Sequence, residues 1–178
     1  MASGVQEPVS LEIDAEHAAA IGRVATAWAS FELAVNMHIC ILARFGVDEG
    51  MCVISQIFSV PSRIRALSSL VHLSSGSTDL LRKIASFENR THVIANKRNR
   101  IVHDPWMMGT ESQQYYRLEI TAARTFVFEH KIENKSDIDR VTTEIKALQT
   151  RFFSLWHDIM NDHGAREALR RRYQPQPP

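Results

Sequence analysis

The dipeptide Asp104-Pro105 divides this chain into stretches of different hydrophobic period, and it constrains the fold more than any other feature. The proline ring clashes with the α conformation of the residue before it, and proline brings no N–H to a helix. A helical run arriving from residue 78 must therefore stop near His103. The stop leaves an imidazole at a helix C-terminus, where the negative end of the helix dipole interacts favourably with a cationic side chain. Imidazole is also the side chain best suited to proton exchange near neutrality.

Upstream of the break the period is helical. Asp14 is placed to cap a helix that runs to about Phe45 and closes at Gly46. Its Ile21, Val24, Trp28, Phe31, Val35, Ile39 and Leu42 recur at three and four residues, the mark of one buried face. Glu32 interrupts that face, about 40° from Trp28 and about 20° from Ile39 at 100° per residue. An unpaired core carboxylate is costly, so Glu32 requires a partner. Asp48 starts a second helix through Phe58, and Pro61 stands in the first turn of a third ending near Ser74. The sequence leaves open whether these are one bent helix or two. Arg63 and Arg65 read as a solvated face. Ser77 caps a long helix, Thr78 to His103, with Ile84, Phe87, Ile94 and Ile101 as its core stripe.

Downstream the period falls to two. Tyr116, Leu118 and Ile120, then Phe126, Phe128 and Ile132, alternate with polar or outward residues, and a turn over Thr121 to Arg124 folds residues 113–132 into a hairpin. Ser136 caps a last helix to about Asp162. The expected architecture is mainly α: an up-down helical bundle with a small β-hairpin inserted before the last helix. Residues 1–12 read as a poorly ordered terminus, 13–165 as a single domain and 166–178 as a basic, proline-rich tail.

Composition narrows the function classes. Hydrophobic content is 44%, charged content 23% and the formal charge +1, so attraction to a polyanion must be local. Cys40 and Cys52 sit in apolar runs without metal or redox spacing and read as reduced core thiols. No stretch reads as the ~18 apolar residues of a membrane span, and no basic leader precedes an apolar run, which places the chain in the cytoplasm. His157, Asp158, Asp162 and His163 lack a companion cluster and read as a solvated helix end, so no metal is expected. No cofactor is implied: there is no glycine-rich phosphate loop and no serine nucleophile elbow.

Chemistry concentrates in Asn96 to Trp106. Asn99 and His103 are i and i+4, adjacent on one helix surface, while Arg98 falls with Ile94 and Ile101 on the apolar side. The stem of Arg98 should be buried, and Glu32 is the acceptor expected for its guanidinium. If Glu32 neutralises Arg98, then Arg100 or Lys97 must supply charge to a phosphate. A purely architectural account remains open, in which Arg98 and Glu32 tie two helices while Asn99 and His103 finish one. Trp106 is expected to cover the core rather than stack on a base.

Arg98-Asn99-Arg100-Ile101-Val102-His103 resembles the Arg-Asn-x-x-x-His signature of HEPN domains, small helical proteins of which many are metal-independent ribonucleases. Similar Arg-to-His spacings occur at Arg65/His72, Arg124/His130 and Arg151/His157, but only Arg98 is followed by Asn, and only His103 ends a long helix against proline. The resemblance covers Asp14 to Trp106 and the final helix; the hairpin has no counterpart in it. It implies a homodimer acting on RNA, with Arg98 stabilising the scissile phosphate, Asn99 orienting it and His103 as general base or acid. The implied products are a 2′,3′-cyclic phosphate and a 5′-hydroxyl, made without a metal. A toxin or defence role, with an antitoxin or regulatory protein as partner, belongs to the same implication. Pro105 stands where family toxins controlled by adenylylation carry tyrosine, so that control is not expected here. The alternative is a non-catalytic dimeric HEPN-like binding module.

Overall fold

Asp14 opens the first helix by accepting the backbone N–H of His17 on Oδ1 at 2.6 Å. Helix α1 then runs Ala15–Ala43 in the computed structural model, which describes residues 8–121, 127–164 and 167. It stops short of the expected Phe45 because Arg44 turns left-handed at φ 59°. Arg44 N–H reaches Ile41 O at 3.3 Å and Phe45 N–H reaches Cys40 O at 3.1 Å, a Schellman closure made without glycine. The question of one bent helix or two is answered by α2 (Val47–Ile54) and α3 (Val60–Ser74). Ser59 Oγ accepts the Ser62 N–H at 3.2 Å and Pro61 occupies the first turn, so a new helix begins there. Gly76, at φ 65°, follows the end of α3.

Helix α4 (Thr78–His103) has the expected bounds, with Ser77 Oγ accepting Leu80 N–H at 3.4 Å. Helix α5 (Lys135–Asn161) starts just before the expected cap at Ser136. There the Asn134 N–H donates to Asp137 Oδ2 at 3.0 Å.

The β component is larger than a hairpin. Strands β1 (Val9–Ser10), β2 (Trp106–Gly109), β3 (Tyr115–Thr121) and β4 (Val127–Ile132) form one antiparallel sheet in the order β1-β2-β3-β4. Tyr116 pairs with Ile132 across the expected hairpin, while Trp106 pairs with Arg117 to add β2. Val9 opposite Gly109 adds an edge strand from the segment expected to be poorly ordered. The residues between Thr121 and Val127, including most of the expected turn and Phe126, lie outside the described residues, as does the basic tail apart from Glu167.

Two compact units divide the chain, and α1, α4 and α5 each contribute to both. Met1–Trp28 with Ile94–Ile145 holds the sheet. Its buried residues include Val24, Ile94, Ile101, Trp106, Met107, Tyr116, Ile138 and Val141. Ala29–Val93 with Lys146–Pro178 is helical among its described residues. Its core centres on Phe31, Phe87 and Phe152, with ring centroids 6.2, 6.0 and 5.8 Å apart. Each buried ring contributes about 1.5–3 kcal/mol. That outweighs an exposed ion pair at about 0–1 kcal/mol.

Two expectations need correction here. Cys40 is buried, which raises its thiol pKa, but Cys52 is exposed rather than in the core. Helix α1 is long and apolar enough by length and composition to cross a membrane, with an 18-residue window of mean hydropathy 1.3. Ala20, Val24, Trp28, Phe31, Val35 and Ile39 of that helix are nonetheless buried within the protein, as the residues of a core helix are.

Candidate active site

The end of α4 is built from three kinds of contact. Pro105 stops the helix, and the Trp106 side chain folds back beneath it, its Nε1 donating to Ile101 O at 2.8 Å. Trp106 is 9% exposed and meets His17 edge to face at 4.6 Å, so it belongs to the core and offers no face to a base. Asp104, directly after His103, accepts Arg117 Nη1 at 2.5 Å and lies 3.5 Å from Arg100 Nη1. Arg117 is buried in β3 and also donates to Glu133 from Nε at 2.7 Å. Burial opposes its charge, but Glu133 and Asp104 prevail and its pKa rises. The sheet thus holds the residue next to His103 through a buried ion cluster.

On this support Arg98, Asn99 and His103 come together. Arg98 Nη1 donates to Asn99 Oδ1 at 3.0 Å and lies 3.0 Å from His103 Nε2. A guanidinium has no lone pair to offer, so this contact is a hydrogen bond only for a neutral ring with its lone pair on Nε2. Asn99 and His103 are exposed and Arg98 is half-buried. As the apolar position of Arg98 requires, its stem is drawn inward and Nε is buried, without a hydrogen-bond partner. Nη2 makes no hydrogen bond among the described residues, which leaves that arm of the fork for a ligand.

The expected pairing of Arg98 with Glu32 is not made. Glu32 Oε1 accepts Arg63 Nη1 at 2.9 Å, and Arg63 Nε donates to Ile57 O at 2.9 Å. Glu32 therefore supports the helical core, and Arg63, read as solvated, is 9% exposed. The spacing of Val60, Arg63, Leu67 and Val71 carried that signal, since it places Arg63 on the buried face of α3. Lys97 and Arg100 are also committed. Lys97 Nζ contacts Glu144 at 2.8 Å, and Arg100 Nη2 lies 3.7 Å from Glu119.

Beside these residues lies a polar cavity of about 350 Å³, where Lys97, Arg100, Arg117, Lys131 and Arg140 meet Glu119, Glu133 and Asp137. The hydrogen bond from Lys131 holds the Glu119 pKa below its usual range despite burial. Sequence reasoning missed this cluster because its members come from separate strands and helices. Among the described residues no group of three or more His, Cys, Asp or Glu side chains is arranged to hold a metal ion.

The chain matches no family model, no curated protein and no solved structure.

Proposed function

We propose that this chain is a HEPN-type, metal-independent endoribonuclease of the cytoplasm, acting as a homodimer and cutting RNA to a 2′,3′-cyclic phosphate and a 5′-hydroxyl. The observation that carries the proposal is the 3.0 Å contact between Arg98 Nη1 and His103 Nε2 at an exposed helix end. When Arg98 turns from His103 to a phosphate oxygen, the Nε2 lone pair is released and the neutral imidazole has the form of a general base. His103 takes the proton of the ribose 2′-hydroxyl, the 2′-oxygen attacks phosphorus, and the P–O5′ bond breaks. The corresponding histidine of the second copy protonates the leaving 5′-oxygen.

Arg98 binds a phosphate oxygen and Asn99 orients it. Because Lys97 and Arg100 are held in ion pairs, the charge on the phosphate falls to Arg98. A buried Nε without a partner costs about 1–3 kcal/mol. RNA is the substrate class because the reaction consumes a 2′-hydroxyl, and a toxin or defence effector with a regulatory partner is the role such an activity serves.

One observation favours a second reading, a non-catalytic dimeric HEPN-like binding module: Arg98 Nη1 is already engaged by Asn99 and His103 of its own helix. Purified protein incubated with mixed RNAs in EDTA, followed by end-group analysis, decides between the two. The nuclease reading expects cyclic phosphate ends and a loss of about 10²–10⁴ in rate for His103→Ala with an unchanged circular dichroism spectrum. Equal behaviour of wild type and His103→Ala overturns it and leaves the module.

A further inference from the structure

We propose that the groove between α4 and α5 in the helical unit binds a small organic phosphate monoester, gripped between Arg90 and Arg151. Lys83 Nζ meets Asp158 Oδ2 at 3.0 Å, and further along α4 the Phe87 ring lies 5.8 Å from Phe152. Ascending α4 corresponds to descending α5, so these segments run antiparallel. Seven residues are two turns, about 10.5 Å, so a step on from Lys83 reaches Arg90 and a step back from Asp158 reaches Arg151. Both arginines line the same groove, of about 370 Å³, a size that suits a small ligand.

The charges at the two levels are treated differently. Lys83 is neutralised by Asp158 at 3.0 Å and Asp79 at 3.2 Å. One level along, Arg90 and Arg151, both exposed, line the same groove, and among the described residues neither has a hydrogen bond or an ion pair. Like charges placed together repel, an arrangement relieved by a bound anion. Ser86 lies one turn before Arg90 and Ser154 one turn after Arg151, and both line the groove with hydroxyls that make no bond among the described residues. The floor is apolar, formed by Phe87 and Leu155, each 7% exposed.

These features select a ligand class. A phosphate monoester carries about −1.5 to −2 charge near neutrality, a match for two unneutralised cations, and its planar O–P–O edges suit guanidinium forks. The hydroxyls can donate to the remaining oxygens. A carboxylate neutralises only one arginine, and inorganic phosphate leaves the apolar floor uncovered.

Calorimetric titration of the full chain at low salt with phenyl phosphate, inorganic phosphate and phenol tests the site. Phenyl phosphate should bind most tightly, and Arg90→Gln and Arg151→Gln should each weaken it by about tenfold or more. Arg82→Gln, an exposed arginine outside the groove, should retain wild-type affinity. Circular dichroism of each variant confirms its folding. The proposal is overturned if phenyl phosphate fails to bind, if phenol or inorganic phosphate binds as tightly, or if either arginine variant keeps wild-type affinity. None of these outcomes depends on ribonuclease activity.

Discussion

His17 is 1% exposed, stacks on Tyr115 at 4.0 Å, and has two buried ring nitrogens without hydrogen-bond partners. Burial lowers its pKa from the ordinary 6.5, although Asp14 and Glu133 pull the other way. The folded state therefore prefers the neutral ring. The associated stability is fully present above pH 6.5 and is lost as pH falls through the depressed folded value. Asp14 acts in the same direction further into acid, since bonds from Tyr115 and the His17 N–H lower its carboxyl pKa. We expect the urea midpoint of the wild type to fall between pH 7 and pH 5, and that of His17→Phe to stay nearly flat there. A parallel slope in both proteins would refute the assignment. At this scale the sequence declared needs more readily than partners. Glu32 required a cation because of its place on α1, but Arg63 was supplied by a separate helix, and no local spacing joins positions 31 residues apart.

The elements were legible wherever a long period or a stop signal existed. Ser77, Pro61 and Asp104-Pro105 mark helix boundaries because capping and proline sterics act within a turn. The sheet was only half legible. β3 and β4 alternate over seven and six residues, whereas β2 has four residues and β1 two, too few to display a period of two. β2 exists because β3 offers it an edge, and β1 because β2 offers the next one. The join between sheet and α4 rests on Arg117, so Arg117→Met is expected to destabilise by about 3–5 kcal/mol, leaving Asp104 and Glu133 without their buried cation. Chemical denaturation measures this. A change below about 1 kcal/mol would show that the cluster does not hold the helix end.

For the molecule as a whole, a net charge of +1 provides little long-range steering toward a polyanion, so the proposed reaction on RNA has to rely on the local arrangement at the end of α4. The proposed reaction uses a base and an acid from two copies. Cleavage per mole of protein should accordingly fall on dilution below the dimer dissociation constant, in step with the weight-average mass from sedimentation. Full specific activity from a monomer would remove the two-copy mechanism while leaving the role of His103 to its own test.

While α1 and α2 end at Ala43 and Ile54, short of the expected Phe45 and Phe58, the sequence by itself determined both ends of α4, the buried stripes of α1, α4 and α5, and the grouping of Arg98, Asn99 and His103 on one turn and a half of helix. Those features depend on sterics and periodicity acting over a few residues. Only the tertiary structure decided that Glu32 binds Arg63 and that Arg117 clasps Asp104. It also placed Arg90 and Arg151 in one groove. Each of these unites residues distant along the chain, and packing, not local propensity, selects which of several compatible side chains meet.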